Sequence, residues 1–218
     1  MTSFPGSPKL LKGGIVLLNP DSGVPIQIVV LQYNPDTLSR TLQAQGIGPE
    51  PGDRLEALRL KSPPIETIKL EAEIDATDQL ETAVPMASTF GIYPQLAALE
   101  VMIYPTSAQL NDNSSQSQKG VLEIAPMEAP LALFVWSRLR VLPVRLTEFS
   151  ITEEAFDPNL NPIRAKVSLG MRVLTVNDLG FAHKGGNLFM AYLQQKEQLA
   201  RMGAQGGVLS ALGLTGIQ

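Results

Sequence analysis

The chain has 218 residues, a formal net charge of −4 at pH 7, one histidine and no cysteine. That length suits one substantial domain with a buried core, and the lack of thiols excludes disulfides, thiolate nucleophiles and cysteine-ligated metals. The acidic balance gives no general pull toward nucleic acid or anionic lipid, and 44% apolar against 17% charged residues is a globular composition whose apolar runs stop short of a membrane span.

The first residues, MTSFPGSPKLLKGG, lack the charged-then-apolar order of a secretory signal, so production in the cytoplasm is expected. Residues 13 to 33 hold two β-branched runs around Asn19, Pro20, Asp21, Ser22 and Gly23, which predicts a hairpin. NPDTLSRTL resumes an extended run after Pro35, and GIGPEPGDR, residues 46 to 54, reads as a loop. In PIETIKLEAEI, Ile68, Leu70, Ala72 and Ile74 alternate with Thr67, Lys69, Glu71 and Glu73, the period-two pattern of a half-buried strand.

Residues 86 to 104 fit one short helix, with Pro94 near its start and Leu96, Leu99 and Met102 on its apolar face. TSAQLNDNSSQSQKG, residues 106 to 120, is small and polar and reads as a loop or surface insertion. VLEIAP, PLALFVWS and RLRVLPVRLTEFS follow as strands with edges or bends at Pro126, Pro130 and Pro143. Phe134 and Trp136 are expected in the core.

The longest regular stretch is VRLTEFSITEEAFDPNLNPIRAKVSLGMRVL, residues 144 to 174, two alternating strands around a turn. Matching apolar and ionic neighbours across the pair places Phe149 opposite Met171, Ile151 opposite Leu169, Glu154 opposite Lys166 and Glu148 opposite Arg172. The charged face is either a solvated face, a contact with a neighbour or the wall of a channel. Glu148, Glu154, Arg164, Lys166 and Arg172 are its interface candidates.

Beyond residue 180, Asn187 is a plausible N-cap for a helix that places Leu188, Tyr192, Leu199 and Met202 at helical spacing. These four are candidates for docking a partner, or for packing on the chain's own sheet. The last sixteen residues carry five glycines. Asp75, Asp78 and Glu81 lack the spacing of a calcium loop and read as a solvated strand end, so no metal is expected. His183 lies in LGFAHKGGN without a local acid or nucleophile, and Gly185 and Gly186 read as a hinge. No catalytic residue, cofactor or enzyme activity is expected.

The segment LPVRLTEFSITEEAFDPNLNPIRAKVSLGMRV resembles the tube-type domain of contractile injection systems, whose members carry a turn written roughly Phe-Asp-x-x-x-Asn-Pro-Ile-Arg-Ala. Here that turn is Phe156, Asp157, Asn161, Pro162, Ile163, Arg164 and Ala165. LQYNPDTLSR is similar to the same family's aromatic-Asn-Pro signature at Tyr33, Asn34 and Pro35, without the aromatic that usually follows.

The resemblance spans residues 10 to 178 and implies a mainly β, tail-tube-like barrel or sandwich with a short flanking helix. That gives a tube-like domain over 1–180 and a C-terminal helix and glycine-rich tail over 181–218. It further implies a homohexameric ring in a baseplate, joining a spike hub protein to an inner tube protein, with sheath or wedge proteins as further contacts. Neither nucleic acid nor membrane insertion is implied. The LysM-type module that several members carry after the tube domain has no counterpart here. A monomeric ligand- or carbohydrate-binding β-sandwich is the alternative from another class.

Overall fold

The structure is a computed structural model, and it describes residues 11–19, 22–46, 59–118 and 129–204. Most of the anticipated loop at 46–54, the anticipated strand at 121–126 and the glycine-rich tail lie outside these residues.

The fold is mainly β. Seven strands, β1 (Gly14–Leu18), β2 (Pro25–Val30), β3 (Leu38–Gly46), β4 (Leu60–Asp75), β5 (Leu131–Ser137), β6 (Arg140–Phe156) and β7 (Pro162–Val173), form one antiparallel sheet. Their order is β2-β1-β5-β6-β7-β4-β3, so β2 and β3 are the terminal strands. In a flat sheet β2 and β4 would lie five strand spacings apart, roughly 24 Å. Instead the Gln32 side chain, just after β2, donates to the Asp75 carbonyl at 2.6 Å and accepts from the Asp75 N–H at 3.0 Å, at the end of β4. The sheet is therefore strongly curled, with Ile15 and Leu17 of β1 in the same core as Ile68 and Leu70 of β4.

The alternation read in β4 holds: Ile68, Leu70, Ala72 and Ile74 are buried. From β7, Ala165, Val167, Leu169, Met171 and Val173 join them. Phe134 is fully buried and stacks on Trp136 at 5.9 Å, and Trp136 is partly buried against the core. The hairpin at 13–33 forms as β1 and β2, its turn closed by hydrogen bonds from Gly23 N–H to the Asn19 carbonyl and from Asn19 N–H to the Val24 carbonyl. Pro143 sits inside the seventeen-residue β6 rather than at an edge or bend. It accepts from Leu174 N–H at 2.8 Å through its carbonyl.

Among the described residues six helices accompany the sheet, more than anticipated. Residues 86 to 104 form two helices, α2 (Pro85–Phe90) and α3 (Tyr93–Glu100), after the short α1 (Thr77–Glu81). The break falls at Gly91, whose φ of 57° and ψ of −131° interrupt the helical path. Ala87, Ile92, Leu96, Leu99 and Met102 are buried in the core.

The polar stretch after Thr106 is not a loop but a helix, α4 (Ser107–Gln118). Its start is a capping box: Gln109 N–H donates to Thr106 Oγ1 at 3.2 Å, and Thr106 N–H donates to Gln109 Oε1 at 3.0 Å. None of its residues is buried, which is why apolar periodicity could not show it.

α5 (Val176–Leu179) and α6 (Lys184–Ala204) complete the chain. α6 begins before Asn187, which lies inside it and donates its N–H to the His183 carbonyl at 3.0 Å. The His183 ring accepts from Gly185 N–H through Nδ1 at 3.1 Å, so the histidine caps the helix. Gly185 and Gly186 are buried and form no hinge. A Cβ on Gly186 would stand 1.9 Å from the Gly180 carbonyl oxygen, so the glycine permits close packing of α6 against the chain before it. Phe189 and Tyr192 carry α6 into the main core. Among the described residues no helix is long and apolar enough to cross a membrane.

Candidate assembly surface

The strands β6, β7 and β4 present the charged face predicted for the long hairpin, but in a different register. Leu146 faces Met171, Glu148 faces Gly170, Phe149 faces Leu169, Ile151 faces Val167 and Ala155 faces Arg164. Bulges at Thr147 and Glu154 produce the offset. The reason lies in parity: Leu142, Val144 and Leu146 occupy even positions, whereas Phe149 and Ile151 occupy odd ones. Both groups pack toward the core, which requires one extra residue between them.

The five charged candidates all have partners within the chain. Glu148 reaches Lys69 of β4 at 2.6 Å, crossing the β7 row at Gly170, where a Cβ would stand 2.8 Å from that of Glu148. Lys166 pairs with Glu154 at 2.9 Å, as anticipated, although Glu154 is a bulge residue and Thr152 stands opposite Lys166. Arg164 pairs with Asp75 at 2.8 Å, and its Nε lies 3.8 Å from Glu73.

Arg172 stands opposite Arg145 rather than Glu148 and binds Asp178 at 2.7 Å. Asp178 also accepts from Thr175 N–H at 2.9 Å, completing the capping box of α5. Burial would push the Asp75 carboxyl up, but hydrogen bonds from Thr77 and Arg164 outweigh it and hold the group below its ordinary range. Among the described residues no three acids or histidines are grouped to hold a metal.

The turn after β6 is built around Asp157. Its Oδ1 accepts from Asn159 and Asn161 N–H at 2.8 Å each, and its Oδ2 accepts from the Asn161 side chain at 2.9 Å. These bonds hold the Asp157 carboxyl below its ordinary range. Leu160 takes a positive φ of 64° within the turn.

The turn docks on the helical layer: Asn161 donates to the Thr89 carbonyl at 3.2 Å and the Pro162 carbonyl accepts from Ile92 N–H at 2.9 Å. Asn34, in the earlier segment, accepts from Gly13 N–H at 2.9 Å and donates to the Leu11 carbonyl at 2.7 Å, tying the loop after β2 to the residues before β1.

The free edges differ from the charged face. Among the described residues neither β2 nor β3 has a strand partner on its outer side, although the Gln27 side chain of β2 donates to the Ala98 carbonyl of α3 at 2.9 Å. β2 carries no charge, and Ile26, Ile28 and Val30 are each more than half exposed. No family model matches the chain, and no curated protein matches it either.

Two of the four docking candidates on α6 are engaged by the chain itself. Tyr192 is buried, and Leu188 packs on a second apolar cluster with Leu131 and Leu133. Leu199 and Met202 are exposed.

Tyr192 belongs to a node that the sequence reading missed. Glu66 of β4 is almost fully buried and accepts from Arg40 Nε of β3 at 2.8 Å and from Lys196 Nζ of α6 at 3.0 Å. Arg40 also donates to the Tyr192 hydroxyl at 3.0 Å, and Lys196 lies 4.2 Å above the Tyr192 ring. This node latches α6 to β3 and β4. Its strand residues lie 26 residues apart and its helix residues 126 and 130 beyond Glu66, and only the polar Glu66 inside an apolar alternation gave any signal.

Proposed function

We propose that the chain is a structural subunit of a contractile injection particle, forming a six-membered ring that joins a spike hub protein to an inner tube protein. One observation carries the reading: among the described residues a single curled sheet ends in two strands, β2 and β3, with no strand on their outer sides, and the exposed side of β2 is apolar and uncharged. Monomeric sheets blunt such edges with charge, proline or a covering element; β2 has a proline only at its first residue, Pro25, and touches α3 through Gln27, while Ile26, Ile28 and Val30 stay more than half exposed. Joining β2 of one copy to β3 of the next is a heterologous contact, which closes into a ring when the rotation between copies divides a full turn.

The resemblance of the Asp157 turn and of Asn34 to the tube family supplies the particle class, and the ion-paired face of β4, β7 and β6 suits the wall of a channel. Because those charges are satisfied internally, they hold register and leave the joint to the edges. The function is mechanical and uses no catalytic residue. A carbohydrate-binding sandwich would favour a tryptophan platform, whereas the chain's single tryptophan, Trp136, is stacked on Phe134 and partly buried.

Mass photometry of the purified protein, alone and with the spike hub and tube proteins, should show rings or stacks. A strict monomer that ignores both proteins overturns the reading. The double variant Ile28→Lys, Val30→Lys places charge on exposed side chains of the β2 edge. It should convert rings to monomers while leaving the thermal midpoint of the subunit unchanged, and intact rings would remove β2 from the joint.

A further inference from the structure

The two ends of β6 carry complementary surfaces. At its start, a cleft of about 250 Å³ lies between β3, the β5–β6 turn and α6. Three cations line it, Arg40, Arg140 and Lys196. One carboxylate, Glu66, answers Arg40 and Lys196. Arg140 has no ion pair among the described residues, and neither has Arg138 in the adjoining turn. The rim is apolar, with Leu139 and Leu199 about half exposed.

At the other end of β6 the turn is acidic and apolar-edged. Glu154 and Arg164 are occupied by Lys166 and Asp75, which leaves Glu153 without an ion pair among the described residues. Asp157 adds a second negative charge, satisfied only by neutral donors. Phe156 and Leu160 stand exposed beside them, at 49% and 73%. Each surface thus offers what the other lacks: an unanswered charge of opposite sign and an apolar border.

We infer that the β6–β7 turn of one copy docks into the Arg140 cleft of a second copy. Because donor and acceptor lie at opposite ends of one seventeen-residue strand, on the order of 50 Å apart, the contact is head-to-tail rather than self-complementary and leaves a donor free on one copy and a cleft free on the other. It propagates along β6 and stacks copies end on end. Placing this contact between successive rings rests on the ring reading above; the contact itself does not.

The absence of native cysteine makes the test clean. Leu139→Cys and Leu160→Cys copies, mixed and mildly oxidised, should form a mixed disulfide dimer, with little product from either variant alone. Arg140→Glu and Glu153→Arg should each reduce particles larger than one ring by about ten-fold, the effect of losing roughly 1.4 kcal/mol at the contact. The double variant Arg140→Glu, Glu153→Arg should restore them.

If rings form and stack equally well in both single variants, the contact is overturned while the ring reading stands. If the protein forms no rings yet the mixed disulfide appears, the ring reading fails and the contact stands. Absence of the mixed disulfide at concentrations where stacks are seen overturns the contact.

Discussion

Replacing Glu66 by Ala should destabilise the subunit by about 3 kcal/mol, the usual consequence of leaving one side of a buried ionic cluster without its partner. The Glu66 side chain is only 4% exposed, and Arg40 and Lys196 would both lose their counter-charge. Denaturant unfolding gives the magnitude, and hydrogen exchange along α6 locates it, because α6 is the element that Tyr192 and Lys196 tether.

Glu66→Gln, which keeps the shape and removes the charge, should also change the acid response. Burial pushes the Glu66 carboxyl up, but the hydrogen bonds and charges of Lys196 and Arg40 outweigh it and hold the group below its ordinary range. Its contribution is therefore fully present above the unfolded-chain value near 4.3 and is lost as pH falls through the lower folded value. The variant should lose less stability than the wild type over that acid window. Asp75 and Asp157, also held low, leave a residual dependence. Identical acid profiles for variant and wild type would show that Glu66 carries none of it.

The second large effect is expected at Gly91. Its backbone lies at φ 57° and ψ −131°, a region that only glycine enters freely. A Cβ there would stand 2.2 Å from the Pro162 carbonyl oxygen, the atom that accepts from Ile92 N–H. Gly91→Ala should cost about 3 kcal/mol through strain plus loss of that docking contact. Gly203→Ala is the matched control. Nothing lies within 4 Å of its Cβ position, and alanine in a helix should stabilise by about 0.5 to 1 kcal/mol. Gly91→Ala unfolding at the wild-type midpoint would mean that the turn is not anchored by this contact.

Much of the sheet was legible because its signals are local. β4 is read from four alternating apolar residues, and the β1–β2 hairpin from turn residues between β-branched runs. The register of β6 against β7 was readable in principle, since the apolar positions change parity between Leu146 and Phe149. The charge matches available in the wrong register, Glu148 with Arg172 above all, mask that change.

α4 failed to show because its twelve residues bury nothing, so only the short Thr106–Gln109 cap marks it. Gly185 and Gly186 look like a hinge in sequence and become close-packing positions only once Leu179 and Gly180 are brought against them. The Glu66 node is the extreme case: Arg40 comes beside Glu66 when β3 pairs with β4, but Tyr192 and Lys196 approach only after α6 has folded back, and no local pattern encodes that approach.

β6 shares its hydrogen bonds between two partners. Its first residues pair with β5 and the rest with β7, with Val144 pairing on both sides. Inter-strand bonds run across the strand direction, so thrust applied along β6 loads them together in shear instead of peeling them one at a time. The strand works as a tie-rod, passing axial load to both halves of the sheet without concentrating it in either hairpin.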